Sequence, residues 1–174
     1  MESPKTCATK SSCRGYTLVE VMIVIVLLAV IGSFGVVMSM DSYRGFMFRS
    51  ERDAAVAALQ RARSLAVSNI CEDTAGAECV GGKPHGVRFE KKQYTIFQGS
   101  VFDGRDAGEA AFDQVIPIDT GGVETDAGSP VDVIFDQLSG RIGSGSAADI
   151  TISDQTGRAS TISINEEGRI AWSN

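Results

Sequence analysis

The chain has 174 residues and a formal net charge of −6. That length suits one ordinary domain with an appendage and is too short for two well-buried domains. The acidic balance excludes a general nucleic-acid binder, which needs a basic face to displace counterions from phosphate.

Lys5, Lys10 and Arg14 stand against a single acid, Glu2, ahead of an almost wholly apolar stretch from Tyr16 to Met40 whose one charged residue is Glu20. As a helix this stretch rises about 37 Å, enough to cross a hydrocarbon core of about 30 Å. The basic flank keeps the N-terminus cytoplasmic, so the sequence predicts a single-pass helix with the remainder outside the cytoplasm. No A-x-A pattern ends the apolar run, and Cys7 and Cys13 precede it, so neither a secretory signal peptide nor a lipoprotein site fits.

A carboxylate inside a lipid-facing helix costs several kcal/mol and survives with a partner or a function. Glu20 is either such a residue or an interfacial side chain reaching for headgroups. The segment Arg14-Gly15-Tyr16-Thr17-Leu18-Val19-Glu20 closely resembles the type IV prepilin signal. The resemblance implies that a prepilin peptidase cuts after Gly15 and N-methylates Tyr16, and that Glu20 meets the Tyr16 amine of a neighbouring protomer during assembly. One departure is the absence of a mid-helix Pro, with Val37 at the usual place and Gly32 and Gly35 as the weak points of the helix.

Of the four cysteines, removal of residues 1–15 takes Cys7 and Cys13 and leaves Cys71 and Cys79, an expected disulfide outside the cytoplasm. A zinc site with His85 lacks the tight C-x-x-C spacing, so no metal or other cofactor is expected, and His85 reads as a loop residue between Pro84 and Gly86.

From Arg49 to Asn69, Ala55, Ala58, Leu59, Ala62, Leu65, Ala66 and Asn69 recur at helical spacing, with Arg52, Arg61 and Arg63 off that stripe. Tyr43–Ser50, with Gly45, reads as a joint. From Gly86 the period becomes alternating: Val87 and Phe89, then Tyr94 and Ile96, form a hairpin, followed by strands at 115–118, 131–135, 150–153, 162–164 and 170–172. Gly-rich or acidic turns separate them. The fold class is α+β: a long N-terminal helix, half transmembrane and half packed on the head, followed by an antiparallel β-sheet head. The regions are 1–15, a cleaved leader; 16–40, the transmembrane helix; 41–70, the helix continuing into the head; and 71–174, the β-rich head.

Val133-Ile134-Phe135-Asp136 leading to Gly140, the strand Ile150–Ser153, and Ile162-Ser163-Ile164-Asn165 before Gly168-Arg169-Ile170 resemble H-type pseudopilins and FimT-like minor pilins. The resemblance implies a structural subunit at or near the tip of a type II secretion pseudopilus or type IV pilus, with other pilins or pseudopilins and the prepilin peptidase as partners. The alternative it implies is a FimT-like pilin binding DNA for natural transformation, with Arg141, Arg158 and Arg169 as contacts. Against that alternative, Ala171 replaces the second Arg of the Gly-Arg-x-Arg segment, and Glu166 and Glu167 are adjacent. An enzyme is not expected, since the chain has one His and lacks G-x-S-x-G, H-E-x-x-H and a phosphate-cradling loop. Asp103, Asp106, Asp113, Asp119 and Asp126 lack EF-hand spacing and read as loop solubilisers.

Overall fold

The computed structural model describes residues 16–71, 81–105, 107–118, 123–125, 130–143 and 148–174. Residues 1–15, with Gly15 of the expected cleavage site, and Cys79, Asp106, Asp119 and Asp126 lie outside the described residues. The chain divides into two compact units, one ending at Tyr43 and the other comprising Arg44–Asn174.

Helix α1 runs Leu18–Val67. Its start is capped by Thr17, whose Oγ1 accepts the Glu20 amide at 3.3 Å, a bond that satisfies one of the free donors of the first turn. Glu20 adds a negative charge in that turn, where the helix dipole favours one. Its end is closed by Asn69 in the left-handed region, φ 56°. The Asn69 amide bonds the Ala66 carbonyl at 3.2 Å and the Ile70 amide reaches the Leu65 carbonyl at 3.2 Å. These are the paired bonds of a Schellman motif. Asn69, expected on the packing stripe, is the exposed capping residue instead.

Within the second unit α1 buries Phe48, Arg52, Ala55, Ala58, Leu59, Ala62 and Ala66, a stripe built on spacings of three and four. Arg52 lies on that stripe and not off it. Its guanidinium lies over the Trp172 ring at 3.7 Å and bonds Asp53 and the Asn174 side chain, so the buried charge is paired and stacked. The expected joint at 43–50 is helical. At Gly45 a Cβ would stand 3.1 Å from an Arg158 guanidinium nitrogen, a tight contact with the end of a long side chain.

The strands form two antiparallel sheets where the sequence suggested one. Strands β1 (His85–Glu90), β2 (Gln93–Gln98), β3 (Gln114–Pro117) and β5 (Val131–Phe135) are ordered β3-β2-β1-β5. Strands β4 (Val123–Thr125), β6 (Ala148–Asp154), β7 (Ala159–Ile164) and β8 (Ile170–Ser173) are ordered β4-β6-β7-β8. Register places Val87 between Ile96 and Val133, and Ile150 beside Ile162, so each sheet presents one apolar face. Both faces join the α1 stripe in one core of Val87, Phe89, Tyr94, Ile96, Val133, Phe135, Ile150, Ile152, Ile162 and Ile164. His85 opens β1 as a buried residue, its Nδ1 3.0 Å from the Lys83 carbonyl, and is not in a loop.

Burial pushes the Tyr94 phenol up to about 12, with the charge of Glu51 adding to it. A phenol whose folded value exceeds its unfolded value near 10 holds its full stabilising contribution below pH 10 and loses it as pH rises toward 12. Unfolding midpoints of the full chain in detergent should therefore fall more steeply between pH 10 and 12 than those of Tyr94→Phe; parallel curves would contradict this.

Candidate functional site

The first unit is unusual in its surface. Every described side chain from Tyr16 to Phe34 is exposed, and nearly all are large and apolar: Leu18, Val19, Val21, Met22 and onward to Phe34 at 71 % exposure. A soluble helix keeps one polar side, whereas a helix apolar all round needs lipid or other helices around it. Among the described residues no helix is long and apolar enough to cross a membrane. The stretch read from sequence continues to Met40, and the side chains of residues 35–39 lie outside those described. Tyr16 and Glu20 are both exposed at this end of α1, and the Glu20 carboxylate stands one turn into an otherwise apolar surface.

In the second unit, the residues that carried the head resemblance have a packing role. Arg63 donates from Nε to the Gly140 carbonyl at 3.2 Å and from Nη2 to the Glu167 carbonyl at 3.3 Å, so one guanidinium from α1 clasps the turn after β5 and the turn between β7 and β8. Gly168, at φ 73°, comes so close that a Cβ would sit 2.0 Å from the Gly140 oxygen. Nothing but hydrogen fits there.

Arg169 is exposed and ion-paired with Glu167 at 3.2 Å. Arg141 lies near that same end, where the Ile142 amide bonds the Glu166 carbonyl. Arg158 is at the opposite end of β7, in the β6–β7 turn, and the six residues of that strand separate it from Arg169. Beside it the Asp154 carboxyl is held low: burial would raise it, but bonds from the Thr156 hydroxyl and the Thr156 and Arg158 amides, with the Arg158 charge, outweigh that. The three arginines do not form one patch.

Sequence reasoning missed the segment that covers the outer face of β1 and β2. Phe102 packs edge-on against Phe97 with centroids 5.1 Å apart, and the Arg88 and Arg105 guanidinium groups lie over Phe102 at 4.3 and 4.4 Å. Arg105 is held by Asp113 through paired bonds of 2.7 and 2.6 Å, and Arg88 by Asp103 at 3.0 Å. These two acids are therefore ion-pair partners and not mere solubilisers. Burial raises the Asp132 carboxyl, and the Arg88 charge pulls against it. The segment's trace in the sequence is the run Phe102-Asp103-Gly104-Arg105. A cleft of about 350 Å³ beside this segment is lined by Lys83, Ser100, Arg105 and Glu109 among others. Its cations are already matched, Lys83 by Glu109 and Arg105 by Asp113.

Cys71 follows the α1 cap and is disulfide-bonded. Among the described residues no group of three or more His, Cys, Asp or Glu could hold a metal ion.

Residues 10–38 match the family model of the prokaryotic N-terminal methylation motif, the hallmark of type IV prepilin-like proteins. No curated protein and no solved structure matches the chain.

The Gly168 geometry separates packing from mere turn preference. Gly157 also has positive φ, 84°, but nothing within 4 Å of a Cβ. Gly157→Ala should cost about 1 kcal/mol from its backbone alone, and Gly168→Ala at least about 2 kcal/mol, because overlap with Gly140 adds to the same penalty. Denaturant unfolding of both variants checks the difference.

Proposed function

We propose that this chain is a minor pilin or pseudopilin, processed after Gly15, methylated at Tyr16, and assembled through α1 into a type II secretion pseudopilus or type IV pilus at or near its tip. The observation that carries the reading is the methylation motif lying across the start of a helix whose exposed side chains over residues 16–34 are mostly large and apolar. Such a helix serves two surroundings in turn, lipid before assembly and neighbouring helices after it, because neither asks for a polar face. The motif is that of structural proteins and not of enzymes.

In this reading residues 16–40 anchor the subunit in the inner membrane, 41–70 lead into the head, and the head, 71–174, stands outside the cytoplasm. There the Cys71 bridge closes on Cys79, which is compatible with an oxidising compartment. Glu20 acts by charge: a carboxylate one turn into an apolar helix is worth keeping where it finds a cation, and the methylated Tyr16 amine of the next protomer is that cation.

Mass spectrometry of the protein purified from cells containing a prepilin peptidase should give a chain beginning at Tyr16 with one methyl group. A chain retaining residues 1–15 under those conditions overturns the reading. Glu20→Ala should remain processed and membrane-associated yet fall by about tenfold or more in sheared filaments, the scale of a lost buried ion pair; unchanged incorporation removes the role given to Glu20.

A further inference from the structure

Each of the two sheets in the head has two outer strands, and three of these four are guarded. Strand β3 ends in Pro117, which has no amide hydrogen to offer. Strand β4 is tied by the Thr125 amide to the Lys91 carbonyl. The outer side of β5 carries the bridge between Phe135 and Ile142. Strand β8, Ile170-Ala171-Trp172-Ser173, has no charge, no Pro and no bulge within it, and among the described residues only β7 pairs with it. Natural edges usually carry at least one such guard.

The orientation of its backbone can be worked out. The Asn165 amide bonds the Arg169 carbonyl at 3.1 Å, which makes that pair hydrogen-bonded. Pairs alternate along an antiparallel ladder, so Ile164 and Ile170 are a non-bonded pair, Ser163 and Ala171 a bonded one, and Ile162 and Trp172 again non-bonded. Ile170 and Trp172 therefore direct their N–H and C=O groups away from β7, to the open side. The bond from the Ser160 hydroxyl to the Ser173 carbonyl, at 2.8 Å, agrees with this phase.

We infer that β8 is a homotypic docking strand, pairing antiparallel with β8 of a second copy of this chain about a two-fold axis at Ala171. The strand is self-complementary in that register. Ile170 lies opposite the partner's Trp172, and Trp172 opposite the partner's Ile170, so all four outward groups on each strand are satisfied. Ile170 and Trp172 share the side of the sheet that bears Ile162 and Ile164, so each Ile packs on a Trp ring. Ala171 faces its own copy in the close-spaced, non-bonded position, where its small side chain fits on the exposed outer face. Arg169 falls opposite the partner's Ser173, so no like charges meet. Trp172 is already placed for this, since the Arg52 guanidinium on its ring limits its rotation. The contact is isologous and closes at two copies.

The test uses the full chain in detergent with Cys7→Ser and Cys13→Ser, so that an added cysteine is the only free thiol expected. At the axis, Cα atoms stand about 4.5 Å apart, within disulfide range. Ala171→Cys under mild oxidation should form a disulfide-linked dimer about tenfold or more faster than Val115→Cys, an exposed position on the guarded β3 edge. Adding Trp172→Lys should return Ala171→Cys to the control rate. Equal rates for Ala171→Cys and Val115→Cys overturn the inference, and so does an unchanged rate with Trp172→Lys in a folded protein. Should Trp172→Lys not fold, the first comparison decides alone. Leader processing does not enter this readout, so its result is separable from that of the filament reading.

Discussion

Small side chains on one face of α1 shape the core that both sheets of the head share. Ala55, Ala58, Ala62 and Ala66 are all buried, with Leu59 the one large aliphatic residue among them. The bulk missing from the helix is supplied from the other side by Phe89, Tyr94, Phe135 and the isoleucines of β6 and β7. Close packing makes this division of volume a strict one, because overfilled and underfilled interiors both cost stability.

Arg63 ties the same helix to two turns of the sheets: the Gly140 and Glu167 carbonyls lie within reach of one guanidinium and gain donors. The Gly-Arg turn that looked on sequence grounds like a family signature with a ligand-binding option has an internal reason to be there. Its glycine is fixed by contact with Gly140, while Arg169 points outward to Glu167.

Much of this was legible in the residues. The motif from Arg14 to Glu20, the apolar run, the alanine stripe and the alternation of the strands are local patterns, and local patterns survive in a linear reading. What escaped depends on partners far apart in the chain. The spacing of the alanines leaves Arg52 off the stripe because its stacking partner, Trp172, lies far away in the chain. Pro and Gly neighbours suggest a loop for His85, although pairing with Gln98 and Phe135 puts it in a strand. Gly45 suggests a joint because glycine does so in isolation, yet the helix runs straight through it. The Arg88, Phe102 and Arg105 cover was invisible because it is an arrangement of ordinary surface residue types whose meaning lies in their stacking. At the N-terminal end the sequence speaks more clearly than the fold, since the methylation motif is a short linear signal.

The stacking of Arg52 on Trp172 also gives the molecule a built-in optical probe. The chain has one tryptophan, so its indole emission comes from a single known place, where the last strand meets the first helix of the head. The colour and quenching of that emission report on one seam and are not averaged over the whole chain. Any parting of β8 from α1 changes its surroundings directly.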